Sequence, residues 1–113
     1  TETKDARYLG LCIRDFNGKV IAGVAGHTWH GTCFLGYVWV DSAYRKKGLG
    51  SQLMCAVEKE SRNRSCRNIV LSTHSFQSPE FYERIGFRRD AEIANHPVGH
   101  SNIWLIKAVE YDT

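Results

Sequence analysis

The segment that most constrains the fold of this chain runs from residue 37 to residue 53. It reads as an apolar strand, then a short basic turn with two glycines, and then the first turns of an amphipathic helix. The first turn of a helix has backbone N–H groups without intrahelical partners, and the helix macrodipole adds partial positive charge there. Gly48 and Gly50 lack a Cβ atom, so a ligand can approach the backbone closely. The three basic residues 45–47 add positive charge. The segment therefore predicts a site for a phosphate or a pyrophosphate.

Two common phosphate-binding motifs fit this segment less well. A P-loop needs four residues between its first glycine and a Gly-Lys-Ser/Thr sequence, and that spacing is absent. The dinucleotide fingerprint requires Gly or Ala at the position of Leu53, so only its first two glycines are present. The fuller string Arg45-x-x-Gly48-x-Gly50 is more specific than a pair of glycines after a strand.

This string resembles the acetyl-CoA pyrophosphate loop of the GNAT superfamily of N-acetyltransferases. A second segment, residues 81–87 with the sequence Phe-Tyr-Glu-Arg-Ile-Gly-Phe, resembles the other recurrent motif of the superfamily at the expected distance downstream. The motifs occur in the family's order, and the resemblance covers roughly residues 7 to 110. It implies a GNAT-like α/β fold, with a mixed, mostly antiparallel central sheet flanked by helices.

The composition is that of one small globular domain. With 113 residues, 42% of them hydrophobic and 24% charged, the chain can build a single core. The net charge of +3 suits a polyanionic ligand without demanding nucleic acid. Because no apolar run approaches the length of a membrane span and no signal-peptide pattern opens the chain, a cytoplasmic protein without a membrane or nucleic-acid partner is expected.

The four cysteines are Cys12, Cys33, Cys55 and Cys66, and none belongs to a Cys-x-x-Cys pair. Each lies within or beside an apolar run, which favours buried, reduced thiols in a cytosolic protein over a disulfide framework.

The hydrophobic pattern predicts three antiparallel strands, a helix, a strand, a short helix and two further strands. The predicted strands are 8–14, 19–29, 32–40, 69–71, 87–93 and 103–109, and the predicted helices are 49–64 and 79–85. Asn17 and Gly18 suggest a tight primed turn after the first strand. The third strand has apolar residues on both faces, so it should be central and covered on both sides. The long helix should form a right-handed crossover to a parallel neighbour.

The family fold has one further strand and two helices before the first strand predicted here, where it usually builds one wall of its acceptor site. By resemblance, a single GNAT-like domain over residues 1–113 would lack this segment. A free sheet edge and an uncovered apolar face are then expected, and a homodimer is predicted to cover part of that face.

The resemblance implies acetyl-CoA as the cosubstrate. Its pantetheine arm would pair with the backbone of Val38, Trp39 and Val40. Its pyrophosphate would bind the loop residues Arg45, Lys46, Lys47, Gly48, Leu49, Gly50 and Ser51. Ser75 stands where the family often has an Asn that contacts the cofactor, and the nearby Gln77 could substitute for it.

Tyr82 holds the place of the motif tyrosine that protonates the leaving thiolate, so the resemblance makes it the general acid. A phenol suits this role because its reference pKa of roughly 10 keeps it protonated. The alternative is a tyrosine that only packs beside Phe81. No general base is evident. His74 is the best placed of the candidates, which also include His27, His30, Glu80 and Glu83, although a structural histidine with a water chain as the base is an alternative.

Other polar groups carry weaker hypotheses. His27, His30 and Cys33 lie close in sequence, but strands joined by a turn would not bring them together, so no metal site is predicted. His96 and His100 lie in the last loop, which is either solvated or faces the acceptor. The arginines outside the loop are scattered and lack interleaved aromatic residues, which favours a solvated surface over a nucleic-acid site.

The sequence thus predicts an N-acetyltransferase that moves an acetyl group from acetyl-CoA directly to a primary amine, with a small-molecule acceptor favoured. A protein or peptide amine is an alternative acceptor. A non-catalytic acyl-CoA-binding module is an alternative function. A nucleic-acid-binding domain that uses the basic turn is a third, less favoured hypothesis.

Overall fold

The computed structural model describes residues 5–74 and 78–111 of the chain, except for the side chain of His74. The described part contains β1 (Arg7–Arg14), β2 (Val20–Trp29), β3 (Thr32–Val40), α1 (Leu49–Asn63), β4 (Asn68–His74), α2 (Pro79–Arg84), β5 (Arg88–Ala94) and β6 (Ser101–Ala108). The predicted element order is confirmed, and the largest difference in bounds is the extension of β4 to His74. Neither α-helix combines the length and apolar character needed to cross a membrane.

The six strands form one sheet in the order β1-β2-β3-β4-β6-β5. β3 and β4 are parallel, and every other neighbouring pair is antiparallel. The mixed, mostly antiparallel sheet is therefore confirmed, as is the crossover through α1 to a parallel neighbour. β1 and β5 lie at the two edges.

One face of the sheet, called here the helix face, is covered by α1 and α2. A cross-strand row of leucines lies at its centre, consisting of Leu9, Leu35, Leu71 and Leu105. Their exposed fractions are 1%, 7%, 3% and 0%. Leu53 and Val57 of α1 belong to the same buried cluster, and Phe81 of α2 packs against it. Burial of each such side chain stabilises the fold by about 1.5–3 kcal/mol, so this face holds the core.

The opposite face, called here the open face, is rich in aromatic residues. Tyr8, His27 and Phe34 form one cross-strand row on it. Tyr8 is 73% exposed and Tyr37 is 62% exposed, and within the described part of the chain no helix packs on this face. The uncovered apolar face was expected, and β3 is central as predicted, but its covering on this side lies outside what residues 5–74 and 78–111 show.

A β-bulge at Gly36 changes the direction of the side chains along β3. Leu35 pairs with Gly26 and Tyr37 pairs with Ala25, so Gly36 has no partner on β2. A Cβ atom on Gly26 would collide with the backbone of β3, which explains glycine opposite the bulge. As a result Tyr37 lies on the open face, although simple alternation would place it with Leu35 on the helix face.

The turn between β1 and β2 differs from its predicted geometry, whereas His30 and Gly31 form the next turn as expected. At residues 17 and 18 only Gly18 has a positive φ, of 84°, and the Asp15 Oδ1 atom accepts hydrogen bonds from the N–H groups of Asn17 and Lys19. His30 and Gly31 both have positive φ, at 49° and 80°, so the tight primed turn lies between β2 and β3.

Candidate active site

The central feature of the site is an opening between β3 and β4. Their parallel pairing joins residues 32–35 to residues 68–71 and then stops. Beyond this point β3 follows β2 to Val40, while β4 follows β6 to His74. The two strands thus leave an opening, called here the strand gap, bordered by residues 36–40 and 72–74. Alternate backbone groups of β3 point away from β2 into this gap, where an extended ligand can pair with them as an added strand.

The three residues predicted to bind the pantetheine arm lie along this gap. Val38 and Val40 direct their side chains to the helix face and pack against the core, while Trp39 lies on the open face over Gly23. The bulge at Gly36 begins the gap, and sequence reasoning missed it. The available signal was a glycine inside a strand pattern, which is typical of bulges.

The basic turn connects the end of β3 to α1. It begins at Asp41, whose Oδ1 atom accepts a hydrogen bond of 2.9 Å from the N–H of Ala43 and so fixes a short 3₁₀ turn at Ser42–Tyr44. Lys46 and Gly48 then have positive φ, of 64° and 79°. The left-handed Gly48 is followed by the helical Leu49, and such a pair directs successive N–H groups to one side, as in anion-binding nests. Lys47 places its ammonium 5.7 Å from the centre of the Tyr44 ring, and the three basic side chains are exposed.

The N-terminus of α1 is available for an anion. Gly48 occupies the N-cap position, where it supplies no side-chain hydrogen bond, and the first turn contains no acidic residue. Most helices satisfy these N–H groups with a Ser, Thr, Asp or Asn at the N-cap. Here the orphan N–H groups and the partial positive charge are uncompensated, beside three cationic side chains. The arrangement therefore fits a pyrophosphate, and the turn joins it directly to the strand gap.

Glycine is needed at the two motif positions for different structural reasons. Gly48 needs its positive φ, and the space where its Cβ would lie is open. At Gly50 a Cβ atom would lie 3.0 Å from the ring of Phe81 on α2. Gly50 therefore allows the second motif to pack directly against the first, a contact that the sequence prediction did not include.

Tyr82 is half-buried on α2 and packs between two aromatic rings. Its ring lies edge-on to Phe81 at 5.1 Å and to Phe87 at 5.8 Å. Burial raises the pKa of Tyr82, because the charged phenolate would lose its hydration. The structure shows no hydrogen bond from the Tyr82 hydroxyl to any described residue. The side chain thus has both the packing role and the protonated hydroxyl that its predicted role requires.

The candidate bases lie in different places. His74 ends β4 opposite Asn102, so its backbone borders the strand gap. Its side chain lies outside the described part, as do Ser75 and Gln77. Glu80 and Glu83 both contact the guanidinium of Arg89, at 4.0 Å and 3.1 Å.

His27 and His30 lie away from the gap. His27 stacks on Phe34 with ring centres 5.1 Å apart, on the open face, while Cys33 is buried on the helix face. His30 lies in the turn before β3, at the opposite end of that strand from the gap. No group of three or more potential metal ligands was found among the described residues. His96 and His100 are exposed in the loop between β5 and β6.

All four cysteines are free thiols. Cys33 and Cys66 are buried, and burial raises the pKa of each thiol. Cys12 and Cys55 are exposed, so the prediction that all four are buried is wrong for these two. Cys12 lies on the open face, which has no second layer within the described part of the chain to cover it.

Comparison with known proteins identifies the family. Residues 2–87 match the acetyltransferase (GNAT) family. An acetyltransferase of Agrobacterium fabrum is 31% identical over 103 residues, which cover 91% of this chain and 75% of the relative. The blasticidin-S acetyltransferase of Streptomyces morookaense is 34% identical over 91 residues, which cover 80% of this chain and 67% of that protein.

A solved structure shows the same fold. The crystal structure of an acetyltransferase from Bacillus cereus matches with a TM-score of 0.88 and 34% identity, covering 91% of this chain and 74% of that one. This chain belongs to the acetyltransferase (GNAT) family. The predicted superfamily and the predicted fold class are both confirmed.

Proposed function

We propose that this protein transfers an acetyl group from acetyl-CoA to a primary amine of a small molecule. The observation that carries the proposal is the position of the strand gap, which continues through one basic turn to the uncapped N-terminus of α1. One continuous stretch of backbone thus offers strand pairing and then an anion site. These are the two features that an extended thiol arm ending in a pyrophosphate needs.

The proposed contacts follow the chain. Backbone groups of Val38, Trp39 and Val40 bind the arm, and residues 45–51 bind the pyrophosphate. Ser75 and Gln77 remain proposed contacts beyond the end of β4. When bound, acetyl-CoA supplies the acetyl group as an activated thioester.

The chemistry asks little of the side chains. A bond forms between the amine nitrogen and the acetyl carbon, the carbon–sulfur bond breaks, one proton leaves nitrogen and one reaches sulfur. Backbone N–H groups at the gap polarise the carbonyl. Tyr82 donates the proton to sulfur, and its raised pKa keeps the hydroxyl protonated at neutral pH. His74, or water, accepts the proton from the amine. Glu80 and Glu83 are less suited because both are held by Arg89.

The acceptor class is supported by a relative. The Streptomyces protein is named for the acetylation of blasticidin S, which is a small molecule. Four free thiols suit a reducing compartment. We propose that the protein acts in the cytoplasm.

The test is an acceptor screen that follows the release of free CoA thiol. The panel contains small primary amines, an amine-bearing antibiotic, a polyamine and short peptides with a free N-terminus. We expect thiol release with at least one small amine and none with the peptides. Turnover of peptides alone would favour a protein acetyltransferase. Tight binding of acetyl-CoA without turnover of any amine would favour the non-catalytic module.

We also propose a homodimer. Among the described strands, the outer side of β1 is a sheet edge, and the open-face row of Tyr8, His27 and Phe34 lies before the strand gap. Exposed edges and apolar patches commonly pair with a second copy. Sedimentation equilibrium at micromolar concentration should give twice the chain mass. A stable monomer that keeps its fold would contradict the proposal.

A further inference from the structure

We propose that the acceptor binds on the open face between Tyr37 and Trp104, and that it is an amine attached to a flat ring. This inference rests on the function proposed above and names the substrate class of the same site. It depends on which side of the strand gap is accessible, which aromatic residues flank that side, and which charges are present there.

Among the residues that the structure describes, one side of the strand gap is covered and the other is not. On the helix face the gap is backed by Val38 and Val40, which pack against the core. The same side carries α1 and α2, and the ring of Phe81 on α2 lies close to Gly50 of α1. Within the described part of the chain no element covers the open face at this point. An amine that attacks a carbonyl held in the gap therefore approaches from the open face.

Aromatic side chains flank the gap on that face. Tyr37 follows the bulge on β3 and is 62% exposed. On the other side Ser72 is the first residue of β4 beyond the paired segment, and its cross-strand neighbour Trp104 is 37% exposed. Because β4 separates β3 from β6, the two backbones lie about 10 Å apart or more. Ser72, which is exposed and has a small side chain, lies on the strand between the two aromatic residues.

The charges on this face disfavour a polycation. No Asp or Glu occupies a paired open-face position of the described strands. Asp90 is the unpaired residue of a bulge in β5 and contacts Arg88 at 4.0 Å. Glu92 lies on the helix-face side of β5 and contacts Arg89 at 3.9 Å. A polyamine would find aromatic rings without carboxylates, whereas a flat ring would find stacking surfaces worth about two- to tenfold in affinity each.

The experiment compares two amines of the same size, 2-phenylethylamine and 2-cyclohexylethylamine, with spermidine as the polycation. The value of kcat/KM is measured by thiol release at saturating acetyl-CoA, with each rate corrected for the neutral fraction of the amine. We expect about a tenfold preference for the phenyl compound and the lowest value for spermidine. Trp104→Leu and Tyr37→Leu should remove the preference by raising KM for the phenyl compound, with kcat little changed.

Two further variants separate stacking from structural damage. Trp104→Phe keeps a ring and should keep most of the preference. Phe16→Leu removes a fully exposed aromatic ring in the β1–β2 loop and should change neither kinetic constant. Circular dichroism checks that all the variants are folded. If the phenyl compound has no advantage, or if the advantage survives in Trp104→Leu, the inference is wrong while the proposed acetyl transfer stands.

A failure of the proposed acetyl transfer would give a different experimental result. If no amine releases thiol, binding of 2-phenylethylamine to the CoA-loaded protein is measured by saturation-transfer NMR. Ring protons that receive saturation in the wild type but not in Trp104→Leu would support the acceptor site even then. Equal transfer in the two proteins, or no transfer in either, would overturn it.

Discussion

The two faces of the sheet are built from the same strands, yet they serve different purposes. On the helix face the central leucines are nearly inaccessible, and two helices cover them. On the open face neighbouring positions carry tyrosine, histidine, phenylalanine and tryptophan, several of them largely exposed. The helix face holds the core and both recurrent motifs. On our proposal, the open face binds the acceptor and selects it. On this proposal, binding of acetyl-CoA therefore depends on backbone groups and on the core, whereas the choice of acceptor depends on exposed side chains.

The sharpest test of this contrast uses two adjacent residues of β6. Leu105 is 0% exposed on the helix face, and Trp104 lies on the open face. Leu105→Ala should lower the free energy of unfolding by about 2–5 kcal/mol, because it removes buried methyl groups and leaves a cavity. Trp104→Leu should change it by less than about 1 kcal/mol. Urea denaturation of the two variants measures both values. Equal losses would mean that the open face is covered in solution.

The next largest effect is expected at Tyr82. Tyr82→Phe keeps the ring contacts with Phe81 and Phe87 and removes only the hydroxyl. Loss of a general acid typically lowers the rate about a hundredfold, so kcat should fall by that amount while the dissociation constant of acetyl-CoA stays nearly unchanged. Steady-state kinetics and calorimetry measure the two quantities. A variant with near wild-type kcat and the same pH profile would leave Tyr82 with its packing role alone.

The sequence predicted the parts of this molecule that depend on local pattern. Strand and helix bounds followed from hydrophobic periodicity, and the crossover followed from the helix between β3 and β4. The basic turn followed from its glycines and charges. The bulge at Gly36 could not be placed, since a register shift is set by the partner strand and its Gly26. The side of the sheet on which Tyr37 lies depends on that shift, so the aromatic flank of the gap was not foreseen.

The contact between Gly50 and Phe81 escaped prediction for a related reason, because it joins two motifs that are distant in sequence. Each motif was interpreted by itself as part of a ligand site. The structure shows that they also pack against each other, with the ring of Phe81 3.0 Å from the place of a Cβ on Gly50. A substitution at Gly50 therefore has two possible effects on the site.

Gly50→Val should weaken acetyl-CoA binding at least about tenfold, or 1.4 kcal/mol. A loss of binding could come from a clash with α2 or from loss of access to the backbone of Gly50. The double variant Gly50→Val/Phe81→Leu separates these two causes, because the smaller side chain at position 81 relieves the clash. If packing is the cause, calorimetry should show most of the affinity restored. If the ligand needs the bare backbone of Gly50, the double variant should remain weak. Wild-type affinity in Gly50→Val itself would place the pyrophosphate elsewhere.

The smallest expected effect concerns pH and again compares the two faces. Burial raises the pKa of the Cys33 thiol on the helix face, whereas Cys12 is exposed on the open face. A folded-state pKa above the unfolded value means that the stabilisation is complete below the unfolded value, roughly pH 8.5, and is lost as the pH rises. The raised pKa values of Cys66 and Tyr82 act in the same direction, the latter above roughly pH 10.

The free energy of unfolding should therefore decline as the pH rises above about 8.5, by at most about 1.4 kcal/mol per pH unit for each group. Cys33→Ala removes one titrating thiol and should make the decline shallower, although its absolute stability is lower. Cys12→Ala is the matched control for the loss of a cysteine side chain at an exposed position. Urea midpoints at a series of pH values measure the three slopes. If the slope of Cys33→Ala equalled that of the wild type, the buried Cys33 thiol would not contribute to the decline.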